Sequence, residues 1–236
     1  MLSLGSLYLR ASVFLERISA AALHRYGLVS YSQEGEDMIL RRLFETQQCG
    51  FYVDVGAHHP QRFSNTYYFY RHGWSGINID AAPGSMKLFD RLRPRDINVE
   101  AAIDKETREI PYFMFNEPAL NTFDEKLAES KNKTSFRIEK TVKLRTTRLK
   151  DLLDEYLPAG QTIDFISIDV EGFDLNVLES NDWVRYRPHC IIVESLDMRL
   201  SSAADHPIFK FLAEHRYELL AKSLNSLIFA EAGWKT

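Results

Sequence analysis

The chain is short of the features that mark most specialised classes. It has two cysteines in 236 residues, Cys49 and Cys190, too few for a disulfide framework and in keeping with a reducing compartment. It has no apolar run of the roughly 18 residues that a bilayer span needs. Positive charge is not in excess: the net charge of -4 gives no general reason to approach nucleic acid or an anionic membrane. Also missing are a Gly-x-Gly-x-x-Gly fingerprint and a clear Tyr-x-x-x-Lys dyad, which tells against a pyrophosphate-bearing dinucleotide. With 45% hydrophobic residues, the chain has enough apolar mass for one full core and little room for a second.

What is present is organised around Phe51 to Pro60, an apolar, β-branched run ending in Asp54, Gly56 and Ala57. It reads as a buried strand entering a tight loop, where an open α/β sheet places its ligand crevice. Gly56 is the glycine that lets backbone approach a ligand, and Asp54 is the carboxylate beneath it. A second strand-like run, Gly76 to Asp80, ends in an acid placed to accept hydrogen bonds from ribose hydroxyls. After Gly56 come Ala57, His58, His59 and Pro60, too bulky for a pyrophosphate but compatible with a nucleoside lacking phosphates.

Taken together, Tyr31 to Asp37, Tyr52 to Pro60, Ser64 to Thr66, Gly73 to Asp80 and Ile163 to Gly172 resemble the FkbM-type S-adenosylmethionine-dependent methyltransferases, from about Tyr31 to Phe229. The resemblance implies a Rossmann-like α/β fold with a mostly parallel central sheet and a C-terminal antiparallel hairpin. It implies S-adenosyl-L-methionine as donor and a hydroxyl of a sugar, glycan or natural product as acceptor. Donor contacts are expected at Gln33, Asp54, Gly56, Ala57, Asn65, Asp80, Ala81, Ala102, Ile103 and Asp169. Acceptor contacts are expected at His59, Glu171 and Asn121. The rivals are an NAD-dependent oxidoreductase and a non-catalytic scaffold on the same fold.

Along the chain, Met1 to Leu23 places Leu4, Leu7, Val13, Phe14 and Ile18 near one helical face. Residues 1–30 are therefore expected to form a helical segment before a methyltransferase domain over 31–236. That helix would pack on the domain or on a twin subunit; lying on the inner face of a membrane is its alternative, and the cytoplasm is the expected location. Ser32 to Phe44 has helix-favouring charge order, acids first and arginines last. Ile97 to Ile103 reads as the third strand, with Ala101 to Ile103 a wall for an adenine ring. Glu125 to Arg137 is charged and expected to be mobile, its basic residues a solvated face. Leu149 to Tyr156 reads as a helix, Ile163 to Val170 and Arg187 to Glu194 as strands, and Tyr217 to Ala230 as a terminal hairpin.

Methyl transfer to oxygen requires removal of the acceptor proton, and Asp169, at a strand's carboxyl end, is the expected base if neighbouring acids raise its pKa. His58 and Glu194 are the next candidates. His59 reads more simply as a loop-fixing group. A divalent metal held by Asp54, Asp169, Glu171 and His58 is the rival account of the same acids; since the resembled family is not generally metal-dependent, no metal is expected.

Overall fold

The computed structural model describes residues 26–133, 135–196 and 198–234. The expected helix over Met1 to Leu23 lies outside the described residues. Residues 26–30 carry neither helix nor strand and leave Tyr26, Leu28 and Val29 exposed. Among the described residues no helix is long and apolar enough to cross a membrane.

The chain runs α1 (Glu36–Leu43), β1 (Phe51–Val55), α2 (Tyr67–Arg71), β2 (Ser75–Asp80), α3 (Met86–Leu92) and β3 (Ile97–Glu100). An excursion follows, with β4 (Ala102–Ile103), β5 (Glu109–Phe115), α4 (Glu125–Lys131) and β6 (Ile138–Thr147). Then come α5 (Leu149–Tyr156), β7 (Phe165–Ile168), α6 (Asp174–Glu179), β8 (Cys190–Glu194), α7 (Pro207–Glu214), β9 (Tyr217–Lys222) and β10 (Ser226–Glu231). Seven strands form one sheet in the order β3-β2-β1-β7-β8-β10-β9, parallel except for the β9–β10 hairpin. This is the Rossmann-like methyltransferase sheet that the resemblance implies. From β1 the chain first winds outward through β2 and β3 and later returns to β7 on the other side. The crevice of such a sheet opens at that reversal, above β1 and β7.

Strand alternation sorts the side chains onto two faces. Val53, Val55, Ile77, Ile79, Ile166, Ile168, Ile191 and Val193 point to one face, where α5, α6 and α7 cover them with Leu149, Leu153, Val177, Leu178 and Leu212. The opposite face changes character rung by rung. Tyr52 pairs with Phe165 and Gly76 in register, forming an aromatic rung under Phe44, Phe69 and Trp74. Gly76 is needed there because a Cβ would come 2.2 Å from the Tyr52 ring. The next rung is polar: Asp54 pairs with Asn78 and Ser167. Two residues further on, the same strands deliver Gly56, Asp80, Asp169 and Glu194.

Three local expectations change. The run Ile97 to Ile103 is not one strand: after Ala101, whose N–H donates to the Asp80 carbonyl (3.0 Å), Ala102 and Ile103 leave the main sheet and pair with Thr146 and Thr147 of β6. They do so because the excursion has its own small core, Ala102 with Tyr112 and Phe123. Glu125 to Arg137 contains a helix, capped by the Asp124 carboxylate, which accepts from the Leu127 N–H (3.0 Å), and anchored by fully buried Ala128. Finally, β7 is shorter than Ile163 to Val170, spanning Phe165–Ile168, and the Asp164 carboxylate just before it accepts the Phe51 N–H (2.7 Å).

Candidate active site

A cavity of about 340 Å³ opens over the carboxyl ends of β1, β2, β7 and β8, covered by the excursion. Its floor follows from register. Gly56, with φ 83°, turns the chain so closely against β7 that a Cβ would lie 1.7 Å from the Asp169 carbonyl oxygen. The glycine is thus demanded by the protein's own backbone, whatever ligand lies above it. Its N–H and that of Ala57 both donate to the Ile79 carbonyl (2.9 and 3.0 Å), fixing the turn to β2.

Of the expected site residues, Gln33, Gly56, His58, Ala81, Asp80, Ile103, Asn121, Asp169, Glu171 and Glu194 line this cavity. Five others do not. Asp54 lies one rung below, its carboxylate accepting from the Thr66 hydroxyl (2.8 Å). Ala57 packs against Met86 and Phe89. Ala102 turns into the excursion's core, and Ala101 takes its place in the wall. Asn65 donates to Ser167 (3.1 Å) and lines a smaller space beside this cavity. His59 fixes its own loop, its Nδ1 accepting from the Gln61 and Arg62 N–H groups (3.1 and 3.0 Å).

Sequence reasoning missed Arg62, Phe63, Tyr112, Glu117, Phe123 and Phe136, which complete the wall. The run Arg62-Phe63 sits between two quoted motifs, a placement that could have flagged it; Tyr112 and Phe123 carry no such signal. It also missed Lys131, whose ammonium leaves the supposed solvated face to pair with Glu171 inside the site. Of the four non-glycine residues in left-handed conformation among the described residues, three, His58 (φ 51°), Phe63 (φ 55°) and Glu171 (φ 54°), border the cavity, and Arg216 (φ 62°) does not. Such strain collects where function over-determines the backbone.

The electrostatics are uneven. Burial raises the Asp80 carboxyl, while the Ala82 and His58 N–H groups that donate to it (2.8 and 3.0 Å) lower it again. Each oxygen keeps a further acceptor site toward the cavity. Burial holds the His58 ring below its ordinary pKa, and its Nε2 is buried without a hydrogen-bond partner. Asp169, Glu171 and Glu194 place carboxylate oxygens within 4.8 Å of one another. Asp169 is exposed, but to the cavity, with protein packed closely around it. That confinement pushes it well above the usual carboxylate range, aided by Glu171, Asp174 and Asp54 and opposed by a hydrogen bond with Glu194. Glu194 is raised by burial and then by Asp169 and Glu171. Of the metal set considered above, Asp54 belongs to the rung below and Glu171 is already held by Lys131.

A nucleoside-bearing donor fits this cavity on the chain's own features: apolar Ala101 and Ile103 for a base, Asp80 for ribose hydroxyls, and acids for a cationic centre. Its size falls in the range of ligand pockets, about 300–1,000 Å³.

A family model described as the methyltransferase FkbM domain matches residues 54–219. No curated protein sequence matches the chain. Similar solved structures include a precorrin-6y C5,15-methyltransferase from Geobacter metallireducens, at 13% identity and TM-score 0.44, covering 83% of this chain and 87% of that one. An O-methyltransferase from Bacillus cereus in complex with SAH has 12% identity and TM-score 0.40, with 98% and 91% covered. A 1,6-didemethyltoxoflavin-N1-methyltransferase from Burkholderia thailandensis, with bound 1,6-didemethyltoxoflavin and S-adenosylhomocysteine, has 11% identity and TM-score 0.41, with 98% and 92% covered. These likenesses are too distant to carry an argument about substrate.

Proposed function

The chain belongs to the methyltransferase FkbM domain family, and from that premise we propose that it transfers a methyl group from S-adenosylmethionine to a hydroxyl oxygen of a sugar, glycan or natural-product acceptor. The observation that carries this is the single rung of Gly56, Asp80, Asp169 and Glu194, opening into one cavity over the sheet's reversal. When bound, the donor supplies a methyl group on a sulfonium. Asp80 accepts hydrogen bonds from ribose hydroxyls, and Ala101 and Ile103 form the wall against the base. Asp169 takes the proton from the acceptor hydroxyl as the new O–C bond forms. Burial and the neighbouring acids raise its pKa, the direction that makes a carboxylate a stronger proton acceptor. His58, neutral and with a free buried nitrogen, can hold the acceptor by a hydrogen bond.

The test is calorimetry with S-adenosylmethionine and with NADH, followed by transfer of a labelled methyl group to sugars and lipid-linked glycans. Binding of the first and not the second is expected, with label appearing on acceptor oxygen. In the Asp169→Asn variant turnover should fall by about 10²–10⁴-fold with donor affinity little changed. Heat with NADH alone would overturn the reading.

A further inference from the structure

Beside the main cavity lies a second, smaller space of about 20 Å³, lined by Gln33, Glu34, Asn65 and Asn225 among others. That volume exceeds the roughly 10–15 Å³ that one water requires, and the lining supplies polar partners for it. Asp169 and Glu194, with Gln33 and Phe63, line both spaces and so stand between them. Glu194 Oε2 is buried with no hydrogen-bond partner, and carboxylate oxygens of Asp169 and Glu194 lie within 4.8 Å of each other. At that separation two carboxylates repel each other unless one of them carries a proton.

The charges around the pair do not balance. Glu171 acts on it from the loop after β7, Asp174 from the start of α6, and Asp54 from β1. Lys131 of α4 is the cation that acts on it, and it is committed to Glu171. Across the chamber Glu34 is tied to Asn225 (2.6 Å) and Glu36 to Ser226 (2.9 Å). Like-charged carboxyls this close cannot both ionise without a compensating cation.

We infer that Asp169 and Glu194 hold one proton between them while the cavity lacks a cation, and release it through the water chamber when the sulfonium of a donor enters, so that donor binding itself turns Asp169 into a base. Glu194 is then a positioning residue: it stores the proton that Asp169 must lose. The O–H bond of the stored carboxyl breaks, the proton passes to water, and both carboxylates face the incoming positive charge. Methylation therefore cannot begin with a base armed in an empty site.

This rests on the donor reading above, and the experiment separates the two. S-adenosylmethionine is titrated calorimetrically into the full chain at pH 7 with EDTA, in buffers of different ionisation enthalpy, to count protons released. The wild type should release about one proton, the number a shared-proton pair holds. Both Glu194→Gln and Asp169→Asn should bind the donor with release close to zero. S-adenosylhomocysteine, which lacks the sulfonium charge, should release markedly fewer protons than the donor. Equal release by wild type and both variants, or by the two ligands, overturns the inference while leaving the donor reading standing. A donor heat that appears only with added Mg²⁺ overturns it too. No heat with S-adenosylmethionine under any condition overturns both.

Discussion

The rung of Asp54, Asn78 and Ser167 and the rung of Asp80, Asp169 and Glu194 lie two residues apart on one face of the sheet, yet the fold compensates them differently. The lower rung has its own cation. Arg93, fully buried, donates from Nη1 to Thr66 (2.7 Å) and Asn78 (3.1 Å) and from Nη2 to Ser64 (2.9 Å), with Asp96 at 3.7 Å. Thr66 passes the contact on to Asp54, and the Tyr52 hydroxyl donates to Asp96 (2.6 Å). Its carboxylates therefore find a guanidinium and a set of hydroxyl and amide donors inside the fold. The upper rung has several acids, one lysine and an opening. A buried polar network that is nearly satisfied holds a structure together, whereas one left short of positive charge is built to receive it.

Breaking the lower rung should therefore have the largest effect, and on stability. Arg93→Met removes the one cation from a buried cluster and leaves Asp54 and Asp96 uncompensated, a change of about 3–5 kcal/mol. Urea unfolding should show it as a lower midpoint at unchanged slope. A variant as stable as the wild type would mean that the two acids are protonated and need no cation.

A smaller effect, on binding alone, is expected where the upper rung meets the ligand. Asp80→Ala should weaken S-adenosylmethionine by about 1.5–3 kcal/mol, the value of hydrogen bonds to a charged group. The measurement is calorimetric affinity beside a thermal melt. Loss of folding in place of affinity would move Asp80 to the structural side of the comparison, since it also anchors the His58 and Ala82 N–H groups.

Much of this was legible in advance, and the limit is physical. The strands and their terminal acids show in the sequence because β-branched runs and the residues that stop them are local signals. The family resemblance picks out Gln33, Asp80 and Asp169, which do line the cavity. It does not separate Asp54 from Asp169, because both are acids near strand ends; only register shows that one is a rung lower. Arg93 gives no sign at all, being one arginine among several at the end of α3, before Pro94. Lys131 looked like part of a solvated run because its partner, Glu171, is 40 residues away. Gly56 was read as a ligand-approach glycine, while the structure places the Asp169 carbonyl in its way. A Gly56→Val variant would therefore report on folding and say little about the donor.

The last effect concerns the upper rung without any ligand, and its sign distinguishes the two rungs. Burial and the neighbouring acids raise the Glu194 carboxyl in the folded chain. In the unfolded chain it titrates near its ordinary value of about 4.3. As pH rises past that value the unfolded state gives up its proton and the folded state keeps it, so the stability that this group contributes is full below about pH 4 and declines as pH climbs toward the folded pKa. Glu194→Gln removes the titration and keeps the shape. It should match the wild type in acid and exceed it at pH 8, the gap widening as pH rises above the unfolded value. In thermal melts that is an upward shift of roughly 2–4 °C per kcal/mol for a domain of this size. The Arg93 variant should show loss across the same pH range, because its acids are left unpaired wherever they are ionised. A Glu194→Gln variant that is less stable at pH 8 than the wild type would place Glu194 with the lower rung, as a structural acid whose charge the fold wants.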